Sequence, residues 1–158
     1  MKSLSFKKFI SSLNKIKFGK FDLIIAIGQG GIMPASFIQN RLKIPMEILW
    51  INFRDKNNKP IQKEPIITKN IKKIKNKRIL LVDDVSRSGK TLAKAKEVLK
   101  GNKIKTFVVN GKADYNIIDS KECMKMPWKI KGSMDTLVST EGYWTIEQAR
   151  EWTKKKNK

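Results

Sequence analysis

Residues 78–91 read Arg-Ile-Leu-Leu-Val-Asp-Asp-Val-Ser-Arg-Ser-Gly-Lys-Thr, and few folds accommodate that order. Ile79–Val82 is an unbroken apolar run, the pattern of a parallel strand covered on both faces. Asp83 and Asp84 follow it directly, then a short Ser/Gly-rich turn. From Thr91 to Lys100 the apolar residues Leu92, Ala95, Val98 and Leu99 take helical spacing. Strand, small-residue loop and helix start predict an α/β unit with an anion site at the helix N-terminus, where backbone N–H groups point outward. The macrodipole adds about 0.3–1 kcal/mol of attraction there, and about 2 when the site is partly buried. Carboxylates repel phosphate, so Asp83 and Asp84 should face a hydroxylated or metal-bound part of the same ligand. A phosphate beside a vicinal diol is a ribose 5-phosphate.

Gly89-Lys90-Thr91 also matches the second half of the P-loop of nucleoside triphosphatases. That motif needs a Gly where this chain has Asp84, whose carboxylate would obstruct the backbone wrap and repel the anion. Val82–Thr91 resembles instead the ribose-phosphate signature of the type I phosphoribosyltransferases. The resemblance implies that Asp83 and Asp84 bind the ribose 2- and 3-hydroxyls of phosphoribosyl pyrophosphate, and makes them the candidate catalytic and Mg²⁺-facing pair. It also implies that Val85, Ser86, Arg87, Ser88, Gly89, Lys90 and Thr91 cradle the 5-phosphate. Ser88 stands where the family usually has Thr, and keeps the hydroxyl.

A second strand–loop–helix unit supports the first. Phe21–Gly28 is apolar enough for a buried strand, it ends in Gly28-Gln29-Gly30-Gly31, and Ile32–Leu42 has helical spacing. Pro34 is tolerable because it falls in the first turn. The glycines permit a close ligand approach or a positive φ. In the resembled family the matching loop often reads Arg-Gly-Gly and binds pyrophosphate, which assigns that role to Gln29, Gly30 and Gly31. Gln29 removes a fixed positive charge, so the contact must lean on backbone N–H groups or on lysines from elsewhere. Pro45–Phe53 is strand-like, whereas Arg54–Asn76 loses periodicity and fills with Lys, Asn and Pro. So long a loop is expected to be a lid, with Arg54, Lys56, Lys59, Lys63 and Lys69 offered to pyrophosphate.

Ile104–Val109 is a further strand, and the chain then becomes irregular, with a short strand at Asn116–Ile118 and Met126-Pro127-Trp128 beyond it. This order resembles purine phosphoribosyltransferases of the xanthine-guanine type, in which a hood follows the last core strand. The resemblance places Trp128 against the base, where stacking contributes on the order of 1–3 kcal/mol. Relatives acting on 6-oxopurines usually carry a third Asp in the phosphate loop and a Lys after the last core strand. Here Arg87 occupies the first position, and Asn110 or Lys112 must serve for the second. A guanidinium cannot act as general base, which leaves Tyr115, Asp119 and Asp114 as candidates. A purine, among hypoxanthine, guanine and xanthine, is the expected acceptor.

With 158 residues, one domain burying roughly two-thirds of its unfolded surface is expected. The expected fold is a mostly parallel five-stranded sheet flanked by helices, with core about 5–110, hood about 111–131 and helical tail 132–158. Ser5–Lys17 should be a helix packed on the sheet, and Thr145–Trp152 a short capped one. The lone cysteine, Cys123, fits a reducing cytoplasm. No apolar run nears the roughly 18 residues of a membrane span, and Met1–Lys8 lacks the apolar stretch of a secretory signal. His is absent, which excludes His-based triads and His metal sites. The net charge of +21 would attract any polyanion. Nucleic acid is nonetheless not the favoured partner, because the lysines are scattered and no nucleic-acid-binding signature is present. The family's habit implies a homodimer. The alternative to an enzyme is a non-catalytic regulator of the same fold that senses phosphoribosyl pyrophosphate, a class that includes nucleic-acid binders.

Overall fold

The computed structural model describes residues 2–52, 64–69, 71–122 and 124–128. In chain order the elements are β1 (Lys2–Ser3), α1 (Phe6–Lys15), β2 (Leu23–Ile27), α2 (Ile32–Leu42), β3 (Met46–Asn52), β4 (Ile66–Lys69), β5 (Arg78–Ser86), α3 (Lys90–Val98), β6 (Lys103–Gly111), β7 (Tyr115–Ile118) and β8 (Met124–Lys125). The main sheet has six strands in the order β4-β3-β2-β5-β6-β7. All its pairings are parallel except that of β4, which runs antiparallel to β3 at the edge.

The unbroken apolar runs are explained by cover on both faces. Along β5, Leu80 and Val82 join Ile24 and Ala26 of β2 in a core closed by Phe9 and Leu13 of α1 and by Ala35 and Ile38 of α2. Ile79 and Leu81 join Ile25 and Ile27 in the opposite core, closed by Leu92 and Ala95 of α3 with Ile71 and Ile74 packed alongside. Strand alternation divides one run between two cores, so no position can be polar. Helix α1 starts as expected after Ser5, whose side chain accepts the Lys8 N–H at 3.2 Å, satisfying one of the unpaired first-turn donors.

This connectivity fixes where a ligand can enter. From β2 the chain crosses over through α2 to β3 on one side; from β5 it crosses through α3 to β6 on the other. The loops after β2 and β5 therefore diverge, leaving a crevice at the carboxyl ends of the two central strands. Register brings those ends level, with Leu23 opposite Ile79 and Ala26 opposite Val82.

The sheet has one strand more than expected. Ile66–Lys69 lies in the stretch anticipated as an open lid, yet its residues pair with Trp50, Ile51 and Asn52 of β3. Lys69 is opposite Trp50 on that edge, while Arg54, Lys56, Lys59 and Lys63 lie outside the described residues. Tyr115–Ile118, assigned to the hood by sequence, pairs with β6 as the other edge strand. A small second sheet joins the start of the chain to the end of the hood: Lys2 pairs with Met124 and Ser3 with Lys125. The expected helix Thr145–Trp152 and Cys123 also lie outside the described residues. Among those described, no helix is long and apolar enough to cross a membrane.

Candidate active site

The crevice holds a cavity of about 330 Å³. One wall is the end of β5 and its loop, Asp83 through Gly89, with Thr91 and Leu92 of α3; the other is Ile27, Gly28 and Gly30, with Ile51 of β3 beside them. Two loops some fifty residues apart in sequence thus share one space.

Their contact is close enough to explain the glycines. A Cβ on Gly30 would lie 2.5 Å from Asp84 Oδ1, and one on Gly31 only 2.2 Å from the Val82 carbonyl oxygen. Close approach, and not a positive φ, is what these two positions need. The left-handed backbone falls on Gln29, at φ 45°, a conformation uncommon for a residue with a side chain. Gly89 is different: its φ is 74°, and it is the N-cap of α3. It has no side chain to cap the first-turn N–H groups, and Ser88 Oγ reaches only the Lys90 N–H, at 3.5 Å.

Alternation along β5 sends the two carboxylates to opposite faces. Asp84 turns to the α2 side, against Gly30. Asp83 shares the α3 side with Ile79 and Leu81 and is only 7% exposed. The backbone N–H of Asp84 donates to Asp83 Oδ1 at 2.9 Å. Burial foremost, and then the adjacent Asp84 charge, push the Asp83 carboxyl well above the ordinary carboxylate range. A bound cation would offset the charge of Asp84 and lower the cost of ionising Asp83.

Of the residues singled out in sequence, the structure gathers Asp83, Asp84, Val85, Ser86, Arg87, Ser88, Gly89, Thr91 and Gly30 around the cavity. Gly31 is buried behind it, and Gln29 and Lys90 are exposed without lining it. The residues expected to read the base are placed elsewhere. Asn110 is 2% exposed; its Oδ1 accepts the Ser120 N–H at 3.0 Å and its Nδ2 donates to the Glu122 carbonyl at 3.2 Å. Both ends of that amide hold the turn after β7. Lys112 lies in a shallow depression behind the phosphate loop, with Lys96 and Asp114. Trp128, half-buried, packs edge-on against Phe9 at the margin of the core, ring centroids 5.3 Å apart.

The candidates for acid–base work have structural partners as well. Asp114 accepts from the Thr106 N–H and hydroxyl, each at 2.8 Å, and from Lys105 Nζ at 2.9 Å. Tyr115 Oη accepts the Gly19 N–H at 3.3 Å, and its ring packs against Phe18 and Phe21. Asp119 is exposed and does not line the cavity. Sequence reasoning missed Ile27, Gly28, Ile51 and Leu92 as lining residues. For Ile51 the available signal was its place at the carboxyl end of a strand neighbouring β2.

A family model described as the phosphoribosyl transferase domain matches residues 5–133. The chain belongs to the phosphoribosyltransferase family. As such it is similar to the purine phosphoribosyltransferase of Pyrococcus horikoshii, at 27% identity and TM-score 0.70, over 82% of this chain and 95% of that one. It shares its fold with the xanthine-guanine-hypoxanthine phosphoribosyltransferase of Helicobacter pylori, at 18% identity and TM-score 0.64, over 88% of this chain and 97% of that one. The orotate phosphoribosyltransferase of Sulfurisphaera tokodaii is 34% identical over 88 residues, 56% of this chain. That match takes in 41% of the relative's length, so the chain spans about two-fifths of it. Among phosphoribosyltransferases, then, likeness in shape and likeness in sequence lead to different bases.

Proposed function

We propose that this protein transfers the 5-phosphoribosyl group of phosphoribosyl pyrophosphate to a ring nitrogen of a nucleobase, with release of pyrophosphate, and that the base is in the first instance a purine. The observation that carries the reading is the shared cavity, in which Asp83, Asp84 and the start of α3 face Gly28 and Gly30 at the sheet's switch point. A purine is favoured over orotate because the likeness to the Pyrococcus purine enzyme takes in nearly all of that chain, while the orotate match leaves more than half of its relative unmatched.

In this reading the phosphate lies at the N-terminus of α3, against Ser88, Gly89 and Thr91. Asp83 and Asp84 accept the two ribose hydroxyls and hold C1 toward the Gly28–Gly31 loop, on whose side the pyrophosphate leaves; the Gly28, Gly30 and Gly31 N–H groups there already donate to the Leu49, Gly28 and Ile27 carbonyls. The bond from C1 to the pyrophosphate oxygen breaks with its electron pair, the base nitrogen supplies the pair for the new bond, and the proton that nitrogen carried passes to a pyrophosphate oxygen or to water. Positioning and exclusion of water carry an oxocarbenium-like step of this kind. The donor set suits Mg²⁺, which takes one or two carboxylates and completes its octahedron with water and substrate oxygens. Asp83 and Asp84 are the residues to hold it, and it would neutralise charge on the departing pyrophosphate.

The test is incubation with phosphoribosyl pyrophosphate, Mg²⁺ and, separately, hypoxanthine, guanine, xanthine, adenine, orotate and uracil. Nucleotide from one base or a few supports the reading. A second reading, a sensor that binds the ligand without turnover, is favoured by one observation: Asn110, Lys112 and Trp128 do not line the cavity. Tight binding of phosphoribosyl pyrophosphate with no product from any base would select it.

A further inference from the structure

Lysines spread along the sequence are gathered by the fold. Two stretches carry no acid: residues 65–82, between Glu64 and Asp83, and residues 98–113, between Glu97 and Asp114. β5 and β6 begin inside these stretches and pair in parallel from Arg78 opposite Lys103, so the turns leading into them lie side by side. They meet at the amino edge of the sheet, roughly 25 Å along β5 from its cavity end at Ser86. Hydrogen bonds stitch the two turns into one platform. The Asn76 N–H donates to the Gly101 carbonyl at 2.9 Å, and the Lys103 N–H to the Lys77 carbonyl at 2.8 Å. Asn102 Oδ1 accepts the Lys77 N–H at 3.0 Å, while its Nδ2 donates to the Ile74 and Leu99 carbonyls at 2.8 and 2.7 Å. Ile71, Ile74 and Leu99 pack in or on the core, and Lys72, Lys73, Lys75, Lys77, Lys100 and Lys103 are all exposed. Among the described residues none of the six pairs with a carboxylate. The acid at this edge, Asp22, is taken by Arg78, whose backbone N–H and Nε donate to its Oδ2 at 2.8 and 3.0 Å.

We infer that this platform is a second binding surface, separate from the cavity, for the phosphodiester backbone of a nucleic-acid duplex. Six ammonium groups without counter-charges, held on a hydrogen-bonded frame, displace condensed counterions from a polyanion, and that release drives binding. The chemistry of the surface selects the partner. Its apolar side chains are turned to the core, so it offers nothing to insert into a membrane. Lysine is depleted from protein interfaces, which disfavours an acidic protein. Neither turn contains an aromatic residue, so the stacking that holds single strands is missing. Lysine contacts to phosphate position a duplex without reading its sequence.

Fluorescence anisotropy of the full chain with labelled DNA and RNA duplexes of mixed sequence, from about 50 to 200 mM salt, tests this. Two variants remove equal charge from different places. One combines Lys72→Gln, Lys75→Gln, Lys100→Gln and Lys103→Gln on the platform; the other combines Lys7→Gln, Lys8→Gln, Lys96→Gln and Lys121→Gln, all exposed and outside it. The slope of log affinity against log salt should become shallower by about 3–4 in the first, roughly 0.9 per lost contact, and by less than about 1 in the second. Arginine at the same four platform positions should restore the slope, which guards against a folding defect. The duplex, DNA or RNA, with the larger platform-dependent loss identifies the source of the backbone. Equal changes in the two glutamine variants would show that net charge alone attracts the polyanion, and would overturn the assignment. So would a platform variant that keeps its duplex affinity and loses affinity for phosphatidylserine vesicles or for polyaspartate. None of these readouts involves phosphoribosyl transfer.

Discussion

The phosphate loop and the hood segment after β6 carry similar chemistry in sequence and use it in opposite ways. In Asp83–Thr91 every polar side chain but that of Lys90 lines the cavity. In Asn110–Trp128 the polar and aromatic groups hold the chain together: Asn110 anchors a turn, Asp114 binds Thr106 and Lys105, and Trp128 packs at the edge of the core against Phe9. The difference is one of backbone supply. The first segment begins on β5, which is paired on both sides through Val82 and with β6 to Ser86, so few of its side chains are needed to satisfy backbone groups. The second breaks into short strands and turns after β6, and N–H and C=O groups outside the ladders are met by nearby side chains.

Substitutions in the two regions should therefore separate binding from stability. The largest effect belongs to Asp84→Ala, which removes charge-assisted bonds to the sugar. Affinity for phosphoribosyl pyrophosphate should fall roughly 10- to 150-fold with little change in melting temperature, and unaltered affinity would break the comparison at its stronger side. Gly30→Ala should come next, since its Cβ would lie 2.5 Å from Asp84 Oδ1. Moving a positioning group by about 1 Å costs on the order of 100-fold in rate, measurable in steady-state turnover. The neighbouring Gly31→Ala meets the Val82 carbonyl instead, and its cost should appear in thermal unfolding, about 1–3 kcal/mol for overpacking.

On the hood side, Asn110→Ala leaves the Ser120 N–H and the Glu122 carbonyl without their side-chain partner. It should lose about 1–3 kcal/mol of stability while the ranking of bases stays the same. A variant that melts normally but changes base preference would return Asn110 to the binding machinery.

The pH response offers a finer test. The Asp83 carboxyl is raised in the fold by burial and by Asp84, so its contribution to stability is full below its ordinary value of 3.8 and is lost as pH climbs through the raised value. Ligand affinity should move the other way over the same window, because the ionised form accepts from the ribose and faces the cation. Asp83→Asn should flatten both trends and raise the melting temperature at neutral pH while weakening the ligand. The Asp22–Arg78 pair gives the smallest effect and the opposite sign. Hydrogen bonding from the Arg78 side chain holds the Asp22 carboxyl well below the ordinary range, so its share of stability is present above 3.8 and disappears only as pH falls below it. It is solvent-exposed and should fade with added salt.

The same contrast explains what was legible in the sequence. β2, β5, α2 and α3 follow from apolar runs and helical spacing because both sheet faces are covered and the pattern has nothing else to encode. The sequence marked the loop glycines for close approach of a ligand or a positive φ, and did not reveal that Gly30 is held against Asp84 and Gly31 against the Val82 carbonyl of the chain itself. β4 was hidden because this short edge strand packs only Ile67 against the core, beside half-buried Ile66 and exposed Thr68 and Lys69, too little alternation to read. The structural duties of Asn110, Asp114 and Trp128 were hidden for a similar reason. Spacing along the chain does not reveal that Ser120, Thr106 and Phe9 will be waiting for them.

The central claim is the placement of a sugar phosphate in the crevice between β2 and β5, and a crystal structure with ribose 5-phosphate and Mg²⁺ measures it most directly. The account predicts the phosphate at the N–H groups of Gly89–Thr91 and both ring hydroxyls within hydrogen-bond distance of Asp83 and Asp84. A sugar bound in reverse, or held away from that crevice, would contradict it.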